Sequence, residues 1–329
     1  MSNLDKLQQI NTNVPRETNV HMADGLVIKR PNDAPGAKQQ TLWIEKQKSA
    51  QKIQDFMREK HNPNYFVPHM LEVSAAQLFA IEERVPGHPL TTSFAEGLSP
   101  QDISLIYRGL AHFINDMATY MPVMSQAEYF DSAAVAGDDK KFTFAYVLNH
   151  IAKYLRKPDI DLLKKAKALF DAESLNDASV VFSHGDMNEH NIFYDKTTKT
   201  LSIIDVADAK YENANEMFYR NYARLGWLDI ERLIAEFNAL PHARPINVVS
   251  NRYLALLRNA LHSFKWSAIE ILKNPKHVNN IRIQMLREDF DAVVRNYNTA
   301  KMHFSQKKME SVISVEKPTP SDTFSQKQK

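Results

Sequence analysis

Two short stretches decide how this chain is read: Ser183-His184-Gly185-Asp186-Met187-Asn188-Glu189-His190-Asn191-Ile192-Phe193, and then Ile203-Ile204-Asp205-Val206-Ala207-Asp208. Asp186 follows the apolar run Val180-Val181-Phe182, and Asp205 follows Leu201-Ser202-Ile203-Ile204. Each carboxylate is therefore expected at the end of a short strand, where a cleft can open. Asn191 stands five residues after Asp186, and Asp205 nineteen. Phosphoryl transfer needs few groups: one carboxylate to position a hydroxyl, and hard oxygen donors to hold magnesium on nucleotide phosphates. An Asp, an Asn and a second Asp on a neighbouring hairpin supply that set.

Working outward toward the N-terminus, Asn19-Val20-His21-Met22 and Leu26-Val27-Ile28-Lys29 flank Asp24-Gly25, a tight-turn signal that predicts a hairpin. A helical pattern follows from about Gln39 to Glu59, with Leu42, Ser49, Ile53 and Phe56 along one side. Strand-like runs at Phe66 to Val73 and Gln77 to Glu83 end at Val85-Pro86-Gly87. Beyond that point the chain turns helical. Ser99-Pro100-Gln101-Asp102 combines a cap, a first-turn proline and a carboxylate three residues on, and predicts a helix to about Tyr120. Further amphipathic helices are expected over Phe142 to Leu155 and Ile160 to Phe170, and from Met217 to about Met302. The picture is a small mixed lobe, a short connection and a larger, mainly helical lobe.

Composition narrows the class. The 329 residues are 43% hydrophobic and 24% charged, with a formal charge of +2. The Lys and Arg residues are scattered, which argues against a nucleic-acid partner. There is no cysteine, so disulfides, thiolate metal sites and a cysteine nucleophile are excluded. No apolar run approaches the length that spans a bilayer, and Met1 to Ile10 lacks the apolar centre of a signal peptide. A cytoplasmic protein without membrane partners is the expectation.

The segment from His184 to Asn191 resembles the His-Gly-Asp-four-residues-Asn motif of the aminoglycoside phosphotransferase and choline kinase superfamily, and the similarity covers roughly Asn19 to Met302. The resemblance implies an α+β, bilobal protein-kinase-like fold: an N-lobe over residues 1–85, a C-lobe over 86–305, and a disordered tail over 306–329. Carried over by position, Asp186 is the catalytic base, Asn191 a metal ligand and Asp205 the principal metal ligand. His184 corresponds to a structural residue of the loop, and Glu216 to an acidic residue that braces it. ATP and Mg2+ are the implied cofactors. Such a fold also needs a strand Lys for the phosphates, paired with a Glu on the following helix. Lys29 stands in an apolar strand, and Glu45, sixteen residues later, shares a helix side with Ser49 and Ile53. A charge on an apolar face calls for a partner, so Lys29 and Glu45 are expected to pair. Ile81-Glu82-Glu83-Arg84-Val85-Pro86-Gly87 resembles the lobe connection whose backbone binds adenine, with Glu83 and Val85 as the contact positions.

The sequence departs from protein kinases proper. Gly185 replaces the Arg of His-Arg-Asp, Val206-Ala207 replaces Phe-Gly, and no Ala-Pro-Glu closes an activation segment. A small-molecule hydroxyl acceptor is therefore expected, with a protein substrate or a nucleotide-binding pseudokinase as the alternatives. The stretch Asn11 to Thr18, where a phosphate loop belongs, contains no Gly. Between Tyr211 and Ser305 there are nine acidic residues against thirteen Lys and Arg, a poor match for a polycationic acceptor. A neutral or anionic metabolite fits better. An aromatic box for a quaternary amine would draw on Trp227, Trp266, Tyr222, Tyr253 and Phe264, residues whose helical spacing equally suits a core.

Overall fold

A computed structural model describes residues 8–9, 18–23, 25–32, 36–121, 144–172, 179–214, 217–222, 225–241, 246, 252–273 and 280–315. The chain opens with β1 (Gln8–Gln9), β2 (Thr18–Ala23) and β3 (Leu26–Pro31). As expected, β2 and β3 form a hairpin: Ala23 faces Leu26, and Gly25 takes the left-handed conformation (φ +72°) that a two-residue hairpin turn requires. Helix α1 (Ala37–Glu59) follows, then β4 (Met70–Ser74) and β5 (Phe79–Glu83). The five strands form an antiparallel sheet in the order β1-β2-β3-β5-β4.

The buried stripe of α1 is not the expected one. It consists of Trp43, Ile44, Gln47, Ala50, Ile53, Gln54 and Met57, while Leu42 and Glu45 are exposed. The expected face is rotated by about one residue, or roughly 100°. The reason is chemical. Two positions of the real stripe are glutamines, Gln47 and Gln54, which count as surface in any hydropathy pattern but are buried here, Gln54 against the Glu82 carboxylate. Trp43 fixes the phase by donating from Nε1 to Thr18 Oγ1 at 3.0 Å.

Next come β6 (His88–Pro89), α2 (Thr92–Ala95) and α3 (Pro100–Tyr120). Helix α3 starts at the expected cap, where Ser99 and Asp102 close a reciprocal capping box. Ile106, Leu110, Phe113, Ile114 and Met117 are at most 2% exposed, each contributing about 1.5–3 kcal/mol of burial. Against this helix lie β7 (Val180–Ser183) and β9 (Thr200–Ile203), the latter the return strand of a hairpin with β8 (Ile192–Asp195). Pairing of β6 with β8 completes a three-stranded sheet, and β10 (Lys210–Asn213) pairs with β7. The sequence reading missed β6 and β10. It also began a strand at Phe66, which instead makes an isolated parallel bridge to Ser202.

The remaining helices are α4 (Phe144–Ile151), α5 (Lys157–Ala172), α6 (Ile230–Asn238), α7 (Arg252–Lys273) and α8 (Asn280–Val315). Helices α4, α5, α7 and α8 share a core that includes Leu148, Ile151, Leu163, Leu257, Phe264 and Val293. Helix α8 runs past Gln306, where a disordered tail was expected to begin, and ends at Val315; residues 316–329 lie outside the described residues. Contacts divide the chain into Met1–Ala136 with Asn176–Ser250, and Gly137–Leu175 with Asn251–Lys329. The expected lobe boundary at residues 85 and 86 falls inside the first unit, which holds both the small sheet and the stretches around Asp186 and Asp205. Among the described residues no helix is long and apolar enough to cross a membrane.

Asp102 does more than cap. Its Oδ1 accepts from Tyr194 Oη at 2.7 Å and Lys199 Nζ at 2.8 Å, and these bonds, with those from Ser99, hold its carboxyl below the usual range. A depressed folded pKa lends stability that is full above the unfolded value, about 4, and declines as pH falls below it. Replacing Asp102 with Asn is expected to lower stability by about 1–2 kcal/mol at neutral pH. The variant should also lack part of the wild-type decline between pH 5 and roughly 3, both measured by denaturant titration.

Candidate active site

The two decisive stretches are stitched together through Ile204, the residue before Asp205. Its N–H donates to the Asn191 carbonyl at 3.0 Å, and its own carbonyl bonds His184 Nε2 at 2.8 Å. On the other side of the ring, His184 Nδ1 accepts from the Asp186 N–H at 3.4 Å, which makes Nε2 the donor to Ile204. His184 is 3% exposed, and burial holds its pKa below the ordinary value. The imidazole is thus a neutral strut, the structural role expected for it. Gly185 (φ +80°) lets the backbone pass against the Asp208 carbonyl; a Cβ there would collide with that oxygen.

Within the loop, Asn188 Nδ2 donates to Asp186 Oδ2 at 3.1 Å, while Asn188 Oδ1 accepts from the His190 N–H. Asn191 is buried and spends its amide nitrogen on the Asp186 carbonyl at 2.8 Å. That bond orients the amide. Asp205 sits in the left-handed region (φ 63°, ψ 51°) at the head of a 3-10 turn, Val206–Asp208, with its side chain 43% exposed. These hard oxygens suit magnesium, an ion that keeps only one or two protein ligands beside phosphates. Among the described residues no cluster of three or more His, Asp and Glu forms a self-sufficient metal cage.

Lys29 reaches this site from β3. Its Nζ lies 3.5 Å from Asp205 Oδ1, but its nearer carboxylate is Glu82 Oε1 at 2.9 Å. Glu45 does not meet it: the phase of α1 turns Glu45 to solvent. The helix contributes Gln54 instead, whose Nε2 donates to Glu82 Oε2 at 3.3 Å. Burial alone would lower the Lys29 pKa, but Glu82 and Asp205 outweigh it and leave the ammonium above its ordinary value. Lys29 in turn holds the Asp205 carboxyl below the usual range. Lys46, next to the expected Glu45, bonds Asp208 at 3.0 Å across partly exposed surface, a pair worth at most about 1 kcal/mol.

Glu83 and Val85 lie where β5 leaves the sheet. The Glu83 carboxylate is occupied by Arg58 at 2.9 Å and the His69 N–H at 3.0 Å. The Glu83 side chain is therefore engaged within the protein. Glu216 lies outside the described residues. A different carboxylate, Glu212 on β10, braces the loop: it is 1% exposed and accepts from Ser183 Oγ, directly before His184, and from Asn221 Nδ2 at 2.5 Å. No hydropathy signal marks it, because a single Glu in a polar four-residue strand looks like surface.

Each of the aromatic residues named for a box has other contacts within its own unit. Trp227 donates its indole N–H to the Leu90 carbonyl at 2.8 Å and packs on Tyr107. Tyr222 and Phe264 are fully buried core, Tyr253 stacks near His303, and Trp266 bonds His262.

A family model described as "Phosphotransferase enzyme family" matches residues 41–214, more than half of the chain. Among solved structures, an ADP-bound aminoglycoside phosphotransferase, APH(2'')-Ib, superposes with a TM-score of 0.59 at 13% identity over 89% of this chain and 94% of its own. A type I macrolide 2'-phosphotransferase gives 0.52 at 14% identity over 87% and 90%. The choline kinase LicA from Streptococcus pneumoniae gives 0.53 at 8% identity over 89% and 93%. At such identities the likeness speaks to fold, and it establishes the expected α+β, protein-kinase-like fold. No curated protein sequence matches the chain.

Because the loop touches the Asp208 carbonyl at Gly185, Gly185→Ala is expected to cost more than about 1 kcal/mol of stability from the backbone conformation alone. It should also weaken magnesium-dependent nucleotide binding, since the loop must back away from Asp205. Calorimetric melting and nucleotide titration check the two effects; retention of both would refute the close packing.

Proposed function

Because the chain belongs to the phosphotransferase enzyme family, we propose that it moves the γ-phosphoryl group of ATP, presented with Mg2+, to a hydroxyl of a small neutral or anionic molecule. The observation that carries this reading is the anchoring of Ile204 on both sides, which fastens the loop of Asp186 and Asn191 to the turn of Asp205. The nucleotides held by structural relatives, ADP in one, ATP in another and GDP in a third, support a nucleotide donor. The aminoglycoside, macrolide and choline named for three relatives are all hydroxyl compounds, which supports a small acceptor. The excess of Lys and Arg between Tyr211 and Ser305 favours a neutral or anionic member of that class over a polycation.

In this reading each residue has a limited task. The Asp186 carboxylate, oriented by Asn188, takes the proton of the acceptor hydroxyl as its oxygen bonds the γ-phosphorus and the bond to the β-phosphate oxygen breaks. Asn191, through its amide oxygen, and Asp205, through its carboxylate, are the ligands this chain offers to magnesium. The ion, when bound, offsets the negative charge on the transferring group. Lys29 lies beside Asp205 to meet phosphate oxygens, and the backbone from Glu83 to Val85 receives the adenine. His184 moves no proton, since both its nitrogens are committed to backbone.

The test is transfer of γ-labelled phosphate into a metabolite extract and, separately, into a protein extract. Label in small molecules is expected. Label confined to protein would replace the acceptor class, and nucleotide binding without label above the Asp186→Asn control would indicate a binding protein. Asp186→Asn should lower turnover by about 10²–10⁴-fold with nucleotide affinity kept. Asp205→Asn should abolish the magnesium dependence of nucleotide binding; unchanged binding would remove Asp205 as a metal ligand.

A further inference from the structure

Building on the phosphotransferase reading, we propose that Glu82 is the standing counter-ion of Lys29, a positioning residue that keeps Asp205 available to a cation. Glu82 lies on β5, hydrogen-bonded to β3, and its register partner is Val27, two residues from Lys29. Opposed residues leave a sheet on the same face, so Lys29 and Glu82 meet without help from another element. The two carboxylates around Lys29 are unequal. Glu82 is 2% exposed and stands at 2.9 Å, with its second oxygen held by Gln54. Asp205 stands at 3.5 Å with a side chain open to water.

Phosphate oxygens that arrive at Lys29 therefore exchange with Asp205, the looser and wetter partner, and not with Glu82. Asp205 is then released toward a cation while the ammonium keeps one negative neighbour. Without Glu82, the buried ammonium would have Asp205 as its only carboxylate and would compete with the cation for it. This placement also frees Lys29 from α1: the helix supplies a neutral amide, and the charge comes from the sheet that carries Lys29 itself.

The experiment is calorimetric titration of the full chain with ADP, with and without Mg2+, for the wild type, Glu82→Gln, Glu45→Gln and the double variant Glu82→Gln with Gln54→Glu. For Glu82→Gln, the magnesium concentration giving half-maximal nucleotide binding is expected to rise roughly tenfold or more. Metal-free nucleotide binding should not weaken, because a negative charge near the phosphates has been removed. Glu45→Gln should match the wild type. The double variant, which keeps one carboxylate in the same buried network, should move the magnesium requirement back toward the wild-type value. An unshifted magnesium requirement in Glu82→Gln overturns the proposal. So does an equal loss with and without metal, which marks a merely structural role, or the same shift in Glu45→Gln. If Glu82→Gln does not fold, the double variant decides: a near wild-type requirement supports the proposal, and parallel loss of both kinds of binding overturns it. A wild type that binds no nucleotide under either condition removes the phosphotransferase reading and this inference with it, whereas a binding wild type with an indifferent Glu82→Gln removes only the inference.

Discussion

An ammonium taken out of water must be met by negative charge, and the burial of Lys29 imposes that demand on everything around it. The response organises the site. Glu82 answers from the neighbouring strand, Asp205 from the turn after β9, and Gln54 of α1 holds the second oxygen of Glu82. One cation thereby fastens the small sheet to the Asp205 turn and, through Glu82, engages Gln54 of the helix. A neutral side chain at position 29 would leave Glu82 as a buried charge with only an amide for company, a costly state. The pair is thus a condition of the local packing as much as a feature of the chemistry.

The second constraint is backbone, not charge. Ile204 is held through both its N–H and its carbonyl, and Gly185 permits a contact with Asp208 that no side-chain-bearing residue could make. These bonds hold Asp186, Asn191 and Asp205 in register. Behind the loop stand groups hydrogen-bonded to it or to one another: the neutral His184, and Glu212 with Ser183 and Asn221. Such support is what a site needs if positioning and electrostatics, and not covalent chemistry, supply the rate. The partition of the chain follows the same logic, since the small sheet belongs with the Asp205 turn that its lysine touches, and helices α4, α5, α7 and α8 close on a core of their own.

Much of this was legible in the sequence wherever the determining physics is local. Asp24-Gly25 specifies a hairpin because its turn requires a left-handed residue, and Ser99 to Asp102 specifies a helix start because the cap is made among four neighbours. Asp186, Asn191 and Asp205 could be placed by their spacing, as the strands that bring them together are short and adjacent. What could not be read was any choice between candidates far apart in the chain. Glu45 and Glu82 are both carboxylates within reach of Lys29 on paper. Only the phase of α1, fixed by Trp43 on Thr18 and by two buried glutamines that look like surface residues, turns Glu45 to water. Glu212 was invisible for the same reason, since its donors Ser183 and Asn221 come from a neighbouring strand and a later turn. By itself, then, the sequence determined the candidate groups and the local elements that carry them, because those depend on neighbours along the chain. The tertiary structure alone decided which carboxylate neutralises the buried lysine, because burial and register are properties of packing.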